Sequence, residues 1–241
     1  MKIINSNNIT KISAYLNFGC VSVREIYNNS IKDKLLWRDF YLMAYRFTPR
    51  AKLYNKHIDE RYDSIKWKNN KSDWNKLIHS QTGFLLIDAI MKEMTITGFT
   101  NNRNRMLLGM FWTKYLIINP FNLKYGSQSN FSRLLVDAIG PSQNKMNHNW
   151  ITDFDYAGKQ FSKKNTLSGR PMDISNKIIK KHDPDCLYIK QWLPHLQYVD
   201  AKELIHWNYE IANINNNIHP SPMFDPTDKY LEWIQATKLK N

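Results

Sequence analysis

Cysteine and long apolar segments are nearly absent from this sequence, and their absence excludes several classes of protein. The 241 residues include only two cysteines, Cys20 and Cys186, in no CxxC pair. This leaves no basis for a disulfide scaffold, a structural zinc site or an iron–sulfur cluster, and we expect no bound metal. The longest apolar stretch, residues 106–118, is too short to cross a bilayer and contains Lys114, so it predicts a buried helix rather than a membrane span.

Common sequence signatures of enzymes are missing too. The chain has no GxGxxG, GxxxxGKS/T, HExxH or GxSxG motif, so the usual nucleotide cradles, zinc proteases and serine hydrolases lack support. The first ten residues, MKIINSNNIT, contain no apolar run of the kind that a secretion signal requires. We therefore expect an intracellular protein, and the nucleus, the cytoplasm and a viral factory or virion all stay open as compartments.

Scarce glycine and frequent helical spacing predict an all-α fold. Only 8 glycines occur, and alternating strand-like runs are rare. The pattern predicts a helix over residues 33–47 that ends before Pro49. It predicts a second helix with Thr82 as its N-cap and Gly98 as its stop, and a central apolar helix over residues 104–118.

The predicted domain organisation is one helical domain over residues 1–207 and a loosely packed tail over residues 208–241 with a short terminal helix. The tail is rich in asparagine and proline up to Pro226. Before it, residues 140–171 are polar and irregular. A connection of this length is usually either functional or mobile.

Positive charge is in excess and is concentrated near the N-terminus. The chain carries 34 basic and 21 acidic residues, a net charge of +13, and residues 1–80 contain 15 of the basic and 7 of the acidic ones. Cations interleaved with aromatic rings favour a nucleic-acid partner, because they hold phosphates and stack on bases. The alternatives are solubility with a coding bias, and a solvated helix face with chance aromatics. This basic-aromatic stretch consists of Tyr45, Arg46, Phe47, Arg50, Lys52, Tyr54, Lys56, Arg61, Tyr62, Lys66, Trp67, Lys68 and Lys71.

Six segments follow one another in the order found in a known family of helical domains. They are TKISAYLNFGCVS at 10–22, LLWRDFY at 35–41, TGFLLIDAIMKEM at 82–94, GFTNNRNRM at 98–106, LLVDA at 134–138 and HDPDCLYIKQWLPHL at 182–196. In these segments the chain resembles the FAD-binding domain of the DNA photolyase and cryptochrome family. That family also has an N-terminal α/β domain that often holds a light-harvesting antenna. This sequence starts after the point where that domain would end, so the resemblance implies either a photolyase or the catalytic half of one whose antenna half is a separate chain.

The resemblance implies a U-shaped FAD in a helical pocket and a light-driven reaction on DNA. Reduced, excited flavin would pass an electron to a pyrimidine dimer flipped out of the duplex and recover it after the ring splits. The expected function is that of a deoxyribodipyrimidine photolyase, with FAD as cofactor and damaged DNA as partner. The alternative is a non-catalytic, cryptochrome-like or degenerate flavin- and DNA-binding protein. Cyclobutane dimers and six-four photoproducts are not distinguished.

The family positions that contact the cofactor map onto eight residues of this chain. Arg105 would lie against the isoalloxazine and pair with Asp137, and a buried pair of this kind is costly unless it serves a polar ligand. For the polar residue near flavin N5 the choice is Asn144, with Gln143 as the other candidate. The remaining positions are Thr10 and Ser13 at the diphosphate, Arg38 on a helix that lines the pocket, Asn102 facing flavin and substrate, and Ile139, where the family has the second Asp of a DxD motif.

The substrate-contacting and DNA-contacting positions follow from the same resemblance. Trp37 would pack on the flipped base, Met106 would face the substrate, and Arg103 would meet a DNA phosphate. Together with Asn144, Trp37 and Met106 are the catalytic candidates. The further DNA-contacting candidates are Lys34, Arg46, Asn102 and Arg170.

Two departures from the family pattern bear on repair activity. Three residues before Trp37, repairing members carry a Glu or Gln that hydrogen-bonds the damaged base, and this chain has Lys34, which removes an acceptor and adds a cation. The tryptophan relay that photoreduces the flavin is also incomplete, since its outer positions fall on Leu77 and Pro120. Its inner position falls on Asn147, His148 or Trp150, of which Trp150 is the electron-relay candidate.

Overall fold

The computed structural model of this chain describes residues 10–28, 30–47, 49, 63–120, 133–138 and 173–237. Every regular element in these ranges is helical, which confirms the all-α prediction. No helix in this part of the chain is long and apolar enough to cross a membrane. The polar segment over 140–171 lies outside the described residues, as do residues 50–62 of the basic-aromatic stretch.

Eleven α-helices, one π-helix and one 3₁₀ helix can be followed in the described ranges. In chain order they are α1 (Ile12–Asn17), α2 (Val23–Ile26), α3 (Lys32–Phe47), α4 (Lys71–Ile78), α5 (Leu85–Thr97), α6 (Asn102–Met110), the π-helix (Phe111–Tyr115), α7 (Asn176–His182), α8 (Leu187–Trp192), the 3₁₀ helix (Pro194–Leu196), α9 (Ala201–Ile205), α10 (Tyr209–Ile214) and α11 (Pro226–Ala236). The core forms where α5 packs on α6 and α8, and where the π-helix meets α11.

The central apolar stretch is buried as predicted, but it is not one uniform helix. α6 begins at Asn102, two residues before the predicted start, because the side chain of Asn101 accepts the Asn104 N–H at 3.0 Å and caps it. The π-helix ends at Tyr115. Ile117 then has a φ of +53°, a strained conformation for a β-branched residue, so the prediction of a helix up to residue 118 is wrong.

α5 is a largely buried helix whose N-terminal cap differs from the sequence prediction. Phe84, not Thr82, occupies the N-cap position. The donors ahead of the helix are satisfied by the buried carboxylate of Asp88, which accepts the Thr82 N–H at 3.0 Å, the Thr82 hydroxyl at 2.8 Å and the Gly83 N–H at 2.9 Å. At the other end Gly98 stops the helix with a φ of +67°, as predicted.

Several side chains of the segment after Trp207 pack against the core. A ring nitrogen of His219 lies 2.9 Å from Asp88 Oδ2, and the Met223 N–H donates to the Thr82 carbonyl at 3.0 Å. Phe224 stacks on Phe111 with ring centroids 5.7 Å apart, and Trp233 on α11 is completely buried. The asparagine-rich composition conceals these few anchoring side chains. A domain boundary at residue 207 stays a prediction.

Candidate functional site

Three polar side chains from separate parts of the sequence meet at one carboxylate oxygen. The hydroxyl of Ser13 on α1 donates to Asp137 Oδ2 at 2.7 Å. The guanidinium of Arg105 on α6 donates to the same oxygen at 2.9 Å. The ion pair between Arg105 and Asp137 that the sequence predicts is therefore present, and Ser13 joins it. We call these three residues the Asp137 junction.

Arg105 is held in place from several directions. Its Nε–H donates to the carbonyl of Thr100 at 2.8 Å, and its guanidinium carbon lies 5.1 Å from the ring centroid of Phe99. Because the cap at Asn101 fixes where α6 begins, it also fixes the position of Arg105 one turn later. The arginine thus has a single defined orientation toward Asp137.

The short segment that carries Asp137 is fixed to both α5 and α1. The Val136 N–H donates to the Gly98 carbonyl at 2.9 Å. The Asn17 side-chain amide donates to the carbonyl of Ala138 at 3.1 Å. A Cβ on Gly98 would lie 2.6 Å from Val136 Cγ1, so only glycine allows the segment to approach this closely. The stop signal of α5 is therefore also what makes room for the Asp137 junction.

The junction has the properties of a site built for a polar ligand. The side chains of Arg105 and Asp137 are only 16% and 6% exposed. Within the described part of the chain, the second carboxylate oxygen, Asp137 Oδ1, is buried without a hydrogen-bond partner. An unsatisfied buried acceptor is costly, and a ligand that brings an N–H or O–H donor removes that cost. FAD carries ribityl hydroxyls and a ring N–H, so the residues present fit this cofactor.

The two positions predicted to contact the FAD diphosphate have different environments. Thr10 is exposed just ahead of α1. The hydroxyl of Ser13 is occupied by Asp137, and contact with a diphosphate would require it to turn away from that carboxylate. Arg38 on α3 pairs with its neighbour Asp39 at 2.9 Å. Cofactor contacts of these residues stay predictions.

The residues predicted to meet DNA are accessible on the surface of α3 and α6. Trp37 is 57% exposed, with its ring edge-on to Phe40 at 5.6 Å between centroids. Arg103 is exposed and its guanidinium lies 3.8 Å from the sulfur of Met106. The remaining exposed candidates are Lys34, Arg46 and Asn102. The exposed surfaces of these side chains are accessible to a partner, whereas the junction is already assembled.

Four of the predicted site residues lie outside the described residues. They are Ile139, Asn144, Trp150 and Arg170. Their assignments to flavin, electron relay and DNA stay predictions based on the family resemblance.

A buried polar cluster behind Arg105 was not predicted from the sequence. Glu93 Oε2 accepts the Tyr188 hydroxyl at 2.7 Å, the Thr100 hydroxyl in a short hydrogen bond, and the Asn104 side-chain amide at 3.5 Å. A signal was available, because Glu93 is, with Asp88, one of two acidic residues on a helix whose other buried positions are apolar. We call Glu93, Thr100, Asn104 and Tyr188 the Glu93 cluster.

Comparison with known proteins places the chain among photolyase-type domains. A sequence profile described as the FAD binding domain of DNA photolyase matches residues 31–238. A deoxyribodipyrimidine photo-lyase from Synechococcus sp. is 30% identical over 237 residues, which cover 88% of this chain and 44% of that protein. A cryptochrome DASH from Gloeobacter violaceus is 31% identical over 209 residues, which cover 78% of this chain and 37% of that protein. The chain thus spans less than half the length of these curated relatives.

Solved structures agree with this placement. A photolyase from Sulfolobus tokodaii, crystallised with two FAD molecules, superposes with a TM-score of 0.75 at 27% identity, covering 95% of this chain and 50% of that chain. A cryptochrome from Synechocystis sp. shares the fold at 22% identity, with a TM-score of 0.76, covering 94% of this chain and 48% of that chain. FAD, the cofactor expected from the sequence, is the one for which the matching domain is named. The profile matches most of the chain, and the helical fold and the Asp137 junction are consistent with it. This chain therefore belongs to the family of FAD-binding domains of DNA photolyases.

Proposed function

We propose that this chain is the flavin-binding and DNA-contacting part of a light-driven DNA repair enzyme of the photolyase type. The observation that carries the proposal is the Asp137 junction, a buried ion pair whose Asp137 Oδ1 has no hydrogen-bond partner among the described residues, in a chain that matches the photolyase FAD-binding domain. Its substrate would be a pyrimidine dimer in DNA.

The side chains divide the work between cofactor and substrate. Bound FAD would supply the light-excited electron that splits the dimer. The Asp137 junction would hold and orient the cofactor, because Arg105 brings a fixed positive charge and Asp137 Oδ1 is an acceptor without a partner in the described part of the chain. Trp37, exposed on α3, would stack on the base turned out of the duplex.

The surface cations supply a general affinity for DNA. Arg46 and Arg103 are exposed and lie on α3 and α6, the helices that also carry Trp37 and Met106. Phosphate contacts of this kind strengthen binding without reading sequence, which suits an enzyme that searches for damage rather than for a base order.

A second candidate function is a cryptochrome-like protein that binds flavin and DNA without repair. The observation that favours it is Lys34, which is exposed on α3 one turn before Trp37 and stands where repairing members carry Glu or Gln. A lysine cannot accept a hydrogen bond from the damaged base.

One experiment separates the two candidates. The protein is purified, its flavin content is measured, and the reduced protein is illuminated with an oligonucleotide that contains a thymine dimer. Restored thymine monomers, absent in the dark, support repair, whereas binding without monomers supports the second candidate. A protein that neither contains nor takes up FAD contradicts both.

A matched pair of variants tests the role of Trp37 in that assay. Trp37→Ala should reduce dimer repair by about tenfold or more while FAD content stays unchanged, because base stacking contributes roughly 1–3 kcal/mol. Leu231→Ala truncates an equally exposed apolar side chain on α11 and should leave repair unchanged.

An antenna-bearing partner is part of the same proposal. The curated relatives are more than twice as long as the part of them that this chain covers. We propose that a separate antenna-domain chain supplies the light-harvesting function. Co-purification of a second chain that increases the repair rate per incident photon would support this, and full rates from the present chain alone would contradict it.

A further inference from the structure

We propose that Glu93 and Tyr188 are positioning residues of the flavin site, which hold Thr100 so that its carbonyl orients Arg105 toward Asp137. This inference rests on the proposed role of the Asp137 junction in binding FAD. It extends the site by residues from α5 and α8 that lie behind the arginine.

Thr100 links the Glu93 cluster to the Asp137 junction. Its hydroxyl donates to Glu93, and it also accepts the Asn104 side-chain amide at 3.2 Å. Its carbonyl accepts the Arg105 Nε–H at 2.8 Å. The side chain of Thr100 is therefore held by the Glu93 cluster, while its backbone holds the arginine of the Asp137 junction.

The Glu93 cluster is buried, and its members are joined by several hydrogen bonds. Glu93, Thr100, Asn104 and Tyr188 are all buried, in places where water cannot replace a lost partner. The Tyr188 hydroxyl donates to Glu93 at 2.7 Å and accepts the Asn104 side-chain amide at 3.2 Å. Buried hydrogen-bonded networks of this kind restrict their members to one arrangement. Tyr188 thereby ties α8 to the loop between α5 and α6.

The hydroxyl of Tyr188 remains protonated, and therefore a hydrogen-bond donor, near neutral pH. Burial, and next the charge of Glu93, raise the pKa of Tyr188 well above its ordinary value. The phenol thus stays protonated and continues to donate to the carboxylate. The contact is permanent rather than pH-switched.

The hydrogen bonds of the Glu93 cluster connect Tyr188 to Asp137, the residue proposed to contact FAD. The chain of contacts runs from Tyr188 through Glu93, Thr100 and Arg105 to Asp137, whose second oxygen is buried and has no hydrogen-bond partner within the described ranges. Removing the far end of this chain loosens the Thr100 carbonyl, and Arg105 then loses the partner of its Nε–H. The affinity for FAD should respond even though Tyr188 does not touch the cofactor.

The test measures the FAD dissociation constant of the full chain by flavin fluorescence. Tyr188→Phe removes only the hydroxyl and should weaken FAD binding about tenfold, the equivalent of one buried hydrogen bond. Thr113→Val is the matched control, because the Thr113 hydroxyl is buried and donates to the Gly109 carbonyl, outside the Glu93 cluster. It should leave FAD affinity within about twofold of the unchanged protein.

A second background separates positioning from loss of stability. Arg105→Lys keeps a cation but has no Nε–H for the Thr100 carbonyl, so adding Tyr188→Phe to it should weaken FAD binding no further. An equal loss in both backgrounds, or no loss in either, overturns the proposal. If Tyr188→Phe fails to fold, Glu93→Gln takes its place, since it keeps the shape and changes one acceptor. If the unchanged chain binds no FAD, the proposed function fails before this inference is reached.

Discussion

Removing Arg105 should destabilise the protein far more than removing an arginine with an equally short but exposed ion pair. Arg105 lies 2.9 Å from Asp137, and the two side chains are 16% and 6% exposed. Breaking a buried pair costs about 3–5 kcal/mol, because the remaining charge is left without a partner. The other contact at Asp137 Oδ2, from the neutral Ser13 hydroxyl, offsets only part of that cost.

The matched control is Arg38→Ala. Arg38 also lies 2.9 Å from its carboxylate partner, Asp39, but these side chains are 32% and 57% exposed. Exposed pairs contribute at most about 1 kcal/mol. In a chain of this length about 3 kcal/mol corresponds to a fall in Tm of roughly 10 °C, while the control should fall by only a few degrees.

The assay is thermal and urea unfolding of the protein with and without FAD. Bound FAD adds stability by mass action, so the FAD-dependent rise in Tm should be lost in Arg105→Ala. The double variant Arg105→Ala with Asp137→Ala should recover part of the loss, because no carboxylate is then left unpaired. Equal shifts for Arg105→Ala and Arg38→Ala would refute the argument that burial makes this junction special.

Three further predictions follow from individual contacts. Gly98→Ala should lower the unfolding free energy by about 1–3 kcal/mol and weaken FAD binding, since its φ is +67° and the new Cβ would lie 2.6 Å from a neighbouring side chain; Gly19→Ala, at φ +71° with nothing within 4 Å, should show only the smaller backbone cost. Burial raises the pKa of the Cys186 thiol to about 12, so stability should fall as pH rises from about 9 toward 12, and a thiol reagent should label Cys20 alone in the native protein; rapid labelling of both thiols would contradict this. Arg103→Ala should weaken binding to DNA of any sequence and reduce the slope of log affinity against log salt by about one, and an unchanged slope would exclude a phosphate contact.

The helices were predictable where the local sequence decides them. α3 ends at Phe47 as predicted, and α5 stops at Gly98, because a glycine in the left-handed conformation is a local signal. The change to a π-helix after Met110 was not predictable, because it depends on how the turn packs against α11. The packing of His219 and Phe224 was missed for the same reason, since their partners lie more than 100 residues away in sequence.

The candidate site divides in the same way. The pairing of Arg105 with Asp137 was predicted from the family resemblance. The contact from Ser13 to Asp137 and the Glu93 cluster were not, because they join residues 124 and 95 positions apart. Hydrogen bonds over such separations leave no periodic trace in the sequence.

The helical fold class, the positive charge and six motifs in the order of a flavin-binding family could all be identified from the sequence alone. Helix periodicity and charge depend on short stretches of sequence, so they can be identified without knowing the fold. The fold was needed to show which polar groups share a buried space, that Asp137 Oδ1 has no partner among the described residues, and which residues behind Arg105 hold that arginine in place. Burial converts an ordinary acid or amide into one that must find a partner, and burial is a property of the fold.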